Sequence, residues 1–302
     1  MRLCRFNEGR LGVVEGDGIL DVTAVLEVLP PHRYPLPGYD VLVANLVLLR
    51  AQIETIRDRA PVVPLAGAKL LSPVANPGKI VAAPVNYQKH FDEVRADPQL
   101  HPDTAAPVKT VHASGLFLKA TSSLVGPGEG VAVSKPERRT DHEVELAFVI
   151  GTKARHVRRA EALHYVAGYC VGLDITIRGA EERSFRKSPD SYSVLGPCLV
   201  TADEVPDPDH LDLSLAVNGQ IRQQSNTKFM ILSVAALVEL ASSFYTLYPG
   251  DILFSGTPEG VSPIAPGDRV VATVERIGTM EVRVRAAEVP AHHALSGIAG
   301  RS

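Results

Sequence analysis

Apolar and polar positions alternate over short stretches for most of this chain, and turn-forming residues soon cut each stretch off. Residues 3–6, 12–15 and 18–22 read as strands separated by glycine-containing turns. From 41 to 59 the apolar positions recur at near-helical spacing behind Asp40, which predicts a capped helix. Residues 60–69, with Pro61 and Pro64, read as an extended connector, so a small N-terminal α/β domain should end near residue 70. The larger domain then covers 71–290, and 291–302 form a tail.

Past Pro77 and Gly78, residues 79–83 read as a strand and 86–93 as the first turns of a helix. Residues 95–113 are polar, contain Pro98, Pro102 and Pro107, and show no periodicity. They are expected to form a loop of the length that often serves as a lid. Helix is expected at 160–166 and a buried strand at 169–177. Residues 211–217 alternate cleanly into Asn218 and Gly219, a strong hairpin signal. Ser233 is placed to cap a helix running to about 245. Two Pro-Gly-Asp turns, ending at Asp251 and Asp268, each feed an apolar strand. The fold class is a β-rich α+β protein, and 24 Gly and 23 Pro against no Trp agree with many short strands.

Composition narrows the partners. The 302 residues are 45% hydrophobic and 22% charged, as in an ordinary soluble globular protein. A net charge of −3 gives no reason to expect nucleic acid or an anionic membrane surface. No apolar run approaches the roughly 20 residues that span a bilayer, and the first ten residues lack a signal-peptide core. Cys4, Cys170 and Cys198 have neither disulfide-framework nor zinc spacing. A cytoplasmic location is expected.

Against that background two acids stand out. Glu143 and Glu145 head an apolar run ending at Gly151, and on a strand both point to one face. Such a pair loses water and repels itself unless protonated, matched by bases, or bound to a cation. Asp174 lies in a second apolar stretch. Three carboxylates in or beside the core suggest a hard divalent cation, Mg²⁺ or Mn²⁺. Plainer readings stay open: a solvated strand end pairing Glu143 and Glu145 with Arg138 and Arg139, and a buried Asp174–Arg178 pair. His142 points away from its neighbours on a strand and reads as structural. Residues 126–130 and 255–260 lack the Gly-Lys-Ser/Thr ending of a phosphate loop.

Taken in order, several strings resemble the fumarylacetoacetate hydrolase family. They are Asn86, Tyr87, His90 and Glu93; 115–119 with Lys119; Asp141 to Glu145; Asp174 to Arg178; Lys187 and Ser188; Gly196 and Pro197; and 249–261 with Gly256 and Thr257. The resemblance covers roughly residues 70–285. It implies a mixed β-roll catalytic domain, usually dimeric, that binds Mg²⁺ or Mn²⁺ and cleaves C–C bonds in acylpyruvates and related diketo acids. By the same match Glu143, Glu145 and Asp174 are metal ligands, and His90 and Glu93 form a lid-borne dyad. Lys119 is an active-site lysine, while Tyr87, Arg178, Lys187, Gly256 and Thr257 fall at substrate-binding positions.

The match departs after Arg178. Where many relatives carry a glutamine that reaches substrate, this chain has Glu181, whose charge would disfavour an anion or pair with Arg183 or Arg186. The gap between Glu93 and Phe117 is also long. The expected activity is metal-dependent hydrolysis of acylpyruvates or 2,4-dioxo acids, releasing pyruvate or an analogue. Decarboxylation or keto–enol isomerisation of a 2-oxo acid uses the same site, and a non-catalytic binding protein is the remoter alternative.

Overall fold

A computed structural model describes residues 1–100 and 107–288. Residues 101–106 of the expected loop, and the expected tail at 291–302, lie outside the described residues.

Alternation organises the centre. Every residue of the strand Val144–Ile150 is buried, which requires cover on both faces. Val144, Leu146, Phe148 and Ile150 join one apolar cluster, Ala147 and Val149 a second. The neighbouring strand Val166–Asp174 divides alike, with Val171 and Leu173 on the first side and Cys170 on the second. The two strands run antiparallel, Val144 opposite Leu173 and Glu145 opposite Gly172.

They form the middle of a 12-stranded sheet. From one edge its main path runs Val62–Pro64, Gly18–Asp21, Arg10–Glu15, Arg2–Phe6, Ser193–Thr201, Val166–Asp174, Val144–Ile150, Ile252–Phe254, Ile80–Ala82 and Phe117–Lys119. Only Ile252–Phe254 and Ile80–Ala82 pair in parallel along this path. The first cluster is completed by Leu213, Leu215, Val270, Ala272 and Met280 of a 5-stranded sheet. The second is covered by the helix Leu46–Ile56 through Leu49 and Ile53. Burying each such aliphatic side chain stabilises the fold by about 1.5–3 kcal/mol.

Several local expectations are met. Asp40 accepts the amide of Val43 at 3.0 Å, and Ser233 accepts that of Ala236 at 3.3 Å at the head of helix Val234–Phe244. Asn218 and Gly219 both have positive φ, 50° and 82°, as a tight hairpin demands, and they join Asp212–Val217 to Gln220–Asn226.

Elsewhere the structure corrects the pattern. The expected helix at 41–59 breaks at Asn45, whose side-chain amide donates to the carbonyl of Val41 at 2.8 Å. This local bond competes with helix continuation, and the chain forms Val41–Ala44, Leu46–Ile56 and a 3-10 turn. The connector at 60–69 contributes the strand Val62–Pro64, paired with Gly18–Asp21. The helix expected at 160–166 is a 3-10 segment, Arg159–Tyr165. Among the described residues no helix is long and apolar enough to cross a membrane.

Candidate metal centre and active site

The three acids meet because two adjacent strands end together. Glu143 sits between the strands Thr140–His142 and Val144–Ile150. Asp174 closes the strand Val166–Asp174, and its amide donates to the carbonyl of Glu143 at 3.0 Å. Glu143 and Glu145 share a face by strand periodicity. All three are buried, and each offers an oxygen within 4.8 Å of the other two.

Their partners come from further along the chain. Lys187 Nζ lies 2.7 Å from both Glu143 and Asp174 and 2.6 Å from Thr176 Oγ1. Lys119 donates to Asp174 and, at 2.8 Å, to the carbonyl of Tyr192. Arg178 donates to Asp141 at 2.7 Å and to Glu143 at 2.9 Å. Neither plainer pairing occurs: Arg138 binds Glu181, Arg139 binds Asp141, and Asp174 is matched by lysines.

Glu145 is different, because it has no cationic partner among the described residues. It accepts the amide of Gly256 at 2.6 Å. Burial, together with Asp174 and Glu143, pushes its carboxyl well above the usual range. Burial acts the same way on Glu143, but Lys187 and Arg178 outweigh it and hold that carboxyl low. Burial lowers Lys119, with Asp174 opposing. A dense, buried, all-oxygen donor set with one unmatched carboxylate fits a hard divalent cation such as Mg²⁺ or Mn²⁺.

His90 faces the same cavity, which has a volume of about 230 Å³. The helix Gln88–Ala96 places Glu93 one turn on, and His90 Nδ1 lies 2.8 Å from its carboxylate. Glu93 is itself fixed by the amide of Gly260 at 2.9 Å. With Nδ1 donating to Glu93, a tautomer assigned from this partner, Nε2 is left as the basic nitrogen. The helix entry is held by Asn86, which is fully buried. It donates to the carbonyls of Leu232 and Ser255 at 2.9 and 2.8 Å and accepts the amide of Leu232 at 2.7 Å.

The expected substrate positions divide. Arg178, Lys187 and Thr257 line the cavity. Thr257 Oγ1 donates to the carbonyl of Val144 and accepts from Gln223, both at 2.8 Å. Gly256 takes part through its amide; its φ of 93° and a Cβ position 2.7 Å from that of Asn86 exclude larger residues. Tyr87 is buried away from the cavity wall, its backbone bridged to Met230 and its hydroxyl unpartnered among the described residues. Glu181 pairs with neither Arg183 nor Arg186; Arg138 holds it at 2.7 and 2.8 Å on the exposed side.

Some contributors escaped the sequence reading. Asp141 was visible as an acid two positions before Glu143, and it binds Arg139 and Arg178 beside the cluster. Gln223 gave no signal: it reaches His142, Thr257 and the amide of Val144 from the other sheet. His142 is structural, as expected, held by Gln223 at 3.0 Å and Ser262 at 2.7 Å.

The sequence model of the family described as "Fumarylacetoacetate (FAA) hydrolase C-terminal" matches residues 79–285. This chain belongs to the fumarylacetoacetate hydrolase family. Within that family it is similar to the maleylpyruvate hydrolase of Aquipseudomonas alcaligenes, at 60% identity over 94% of this chain and 99% of that protein. A crystal structure of the maleylpyruvate hydrolase of Sphingobium sp. SYK-6, in complex with manganese(II) and pyruvate, superposes with a TM-score of 0.81. Its identity is 39%, covering 95% of this chain and all of the other. A mitochondrial oxaloacetate tautomerase of Rattus norvegicus is 34% identical over 93% of this chain and 90% of its own.

Proposed function

We propose that the protein is a metal-dependent hydrolase that cleaves acylpyruvates, with maleylpyruvate as the first substrate to test. One observation carries the reading: the Glu143–Glu145–Asp174 cluster and His90, backed by Glu93, face one cavity. Similarity to two maleylpyruvate hydrolases supports it.

Glu143, Glu145 and Asp174 would hold Mn²⁺ or Mg²⁺. When bound, the cation supplies a Lewis acid for the oxygens of a 2-oxo acid. The chain's own groups do the rest. His90 Nε2 takes a proton from water, and Glu93 keeps the imidazole in the productive tautomer. The hydroxide adds to the distal carbonyl and the C–C bond breaks. The acyl half leaves as a carboxylic acid, and the three-carbon half gains a proton to become pyruvate. Lys119 and Lys187 place positive charge beside the developing oxyanion. Arg178 and Thr257 position the substrate, and Gly256 fixes Glu145.

A second reading keeps the site without the water attack. Similarity to an oxaloacetate tautomerase favours keto–enol isomerisation as that alternative, with decarboxylation of a 2-oxo acid on the same groups. Proton NMR of maleylpyruvate with Mg²⁺ separates the readings. Metal-dependent appearance of pyruvate and maleate supports hydrolysis; a changed keto–enol ratio without cleavage moves the assignment to an isomerase.

A cytoplasmic homodimer is part of the same proposal, and light scattering on the purified protein tests its stoichiometry. A division near residue 70 is retained, supported by the start of the family match at Lys79.

A further inference from the structure

The Glu181–Arg138 pair leaves two arginines at the cavity without an acid. Arg183 and Arg186 begin and end the single-turn helix Arg183–Arg186, and both line the cavity that holds the three carboxylates. Two of those carboxylates, Glu143 and Asp174, are already paired with Lys119, Lys187 and Arg178. Among the described residues neither Arg183 nor Arg186 makes an ion pair. Arg186 spends one N–H on the carbonyl of Ile177 at 3.3 Å, and its buried Nε has no partner. Arg183 lies 5.5 Å over the ring of Phe117, and Lys187 lies 5.7 Å over the same ring.

An unmatched guanidinium taken largely out of water is costly, and its planar fork of donors suits a carboxylate. Phe117 connects the two groups of cations and gives the cavity an apolar wall where a carbon chain can lie.

We propose that Arg183 and Arg186 form an anion subsite for the terminal carboxylate of a dicarboxylic acylpyruvate. This subsite selects such substrates over acylpyruvates with neutral acyl groups. The inference rests on the hydrolase reading, in that the 2-oxo acid end occupies the carboxylate cluster and the terminal carboxylate the arginines.

The test compares Arg183→Gln and Arg186→Gln with the parent, all loaded with Mg²⁺, on maleylpyruvate and on a neutral acylpyruvate of similar length. The ratio of kcat/KM for the two substrates should fall about tenfold or more in each variant, mainly through KM for maleylpyruvate. Arg183→Lys and Arg186→Lys, which keep charge but lose the fork, should fall between. An equal loss on both substrates, or no change, overturns the proposal. Calorimetry with maleate reads the subsite without turnover: binding to the parent should weaken about tenfold or more in the Gln variants. If the parent cleaves neither substrate but shows this maleate pattern, the hydrolase reading fails and the subsite stands. Equal maleate affinity in parent and variants, or no maleate binding to the parent, sinks the subsite.

Discussion

Glu143 and Asp174 share one ammonium group: Lys187 Nζ lies 2.7 Å from an oxygen of each. A cation entering the cluster therefore competes with a charge already there. Mn²⁺ binding should release Lys187 from at least one carboxylate, so Lys187→Met should bind Mn²⁺ no more weakly than the parent while losing turnover. Electron paramagnetic resonance titration reads the affinity; a large loss of Mn²⁺ binding in Lys187→Met would contradict this competition.

Removing an acid has the opposite effect. Asp174→Ala should weaken Mn²⁺ binding by more than about 100-fold, beyond the 10–100-fold typical of a ligand's supporting residues. It also strands the buried Lys119, whose acid partner is Asp174, so the metal-free variant should lose about 3 kcal/mol. Urea unfolding with and without chelator measures both effects.

His90→Ala should lower hydrolysis by about 10²–10⁴-fold, the usual contribution of a positioned base. Enolisation of oxaloacetate, which needs no activated water, should fall less. Equal losses in the two assays would remove the division of labour assigned to the His90–Glu93 pair.

Asn86→Ala leaves two buried carbonyls and one buried amide without their partner. The expected cost is about 3 kcal/mol, read from the urea midpoint. Because Asn86 precedes the helix that carries His90, kcat should fall as well.

His142 sets a pH dependence of stability. Burial pushes its pKa down from 6.5 to about 4, against the hydrogen bond that Gln223 Oε1 accepts from it. The unfolded chain therefore takes up this proton first as the pH falls. Stability that is full above pH 6.5 is lost towards pH 4, by about 3 kcal/mol. In His142→Asn the urea midpoint should change less over that window than in the parent.

What the sequence disclosed was mostly local. The Asp40 and Ser233 caps, the Asn218–Gly219 turn and the shared face of Glu143 and Glu145 each depend on neighbours a few residues away. The family resemblance added the ordered site, including the His90–Glu93 pair. Long-range wiring stayed hidden. Glu181 finds Arg138 rather than its sequence neighbours, and Asp174 finds Lys119 and Lys187 rather than Arg178. No local pattern shows which cation a fold will bring to an acid. The strand Val62–Pro64 was missed for the same reason, since it exists only by pairing with Gly18–Asp21.

The strand Arg2–Phe6 hydrogen-bonds to Ser193–Thr201, which in turn pairs with the strand ending at Asp174. Removing the first seventy residues would strip a neighbour from Ser193–Thr201 and expose its backbone donors and acceptors as a sticky border. Such borders recruit other chains. The N-terminal segment covers that border, and a shortened protein confined to the family-matched region should aggregate more readily than the full chain.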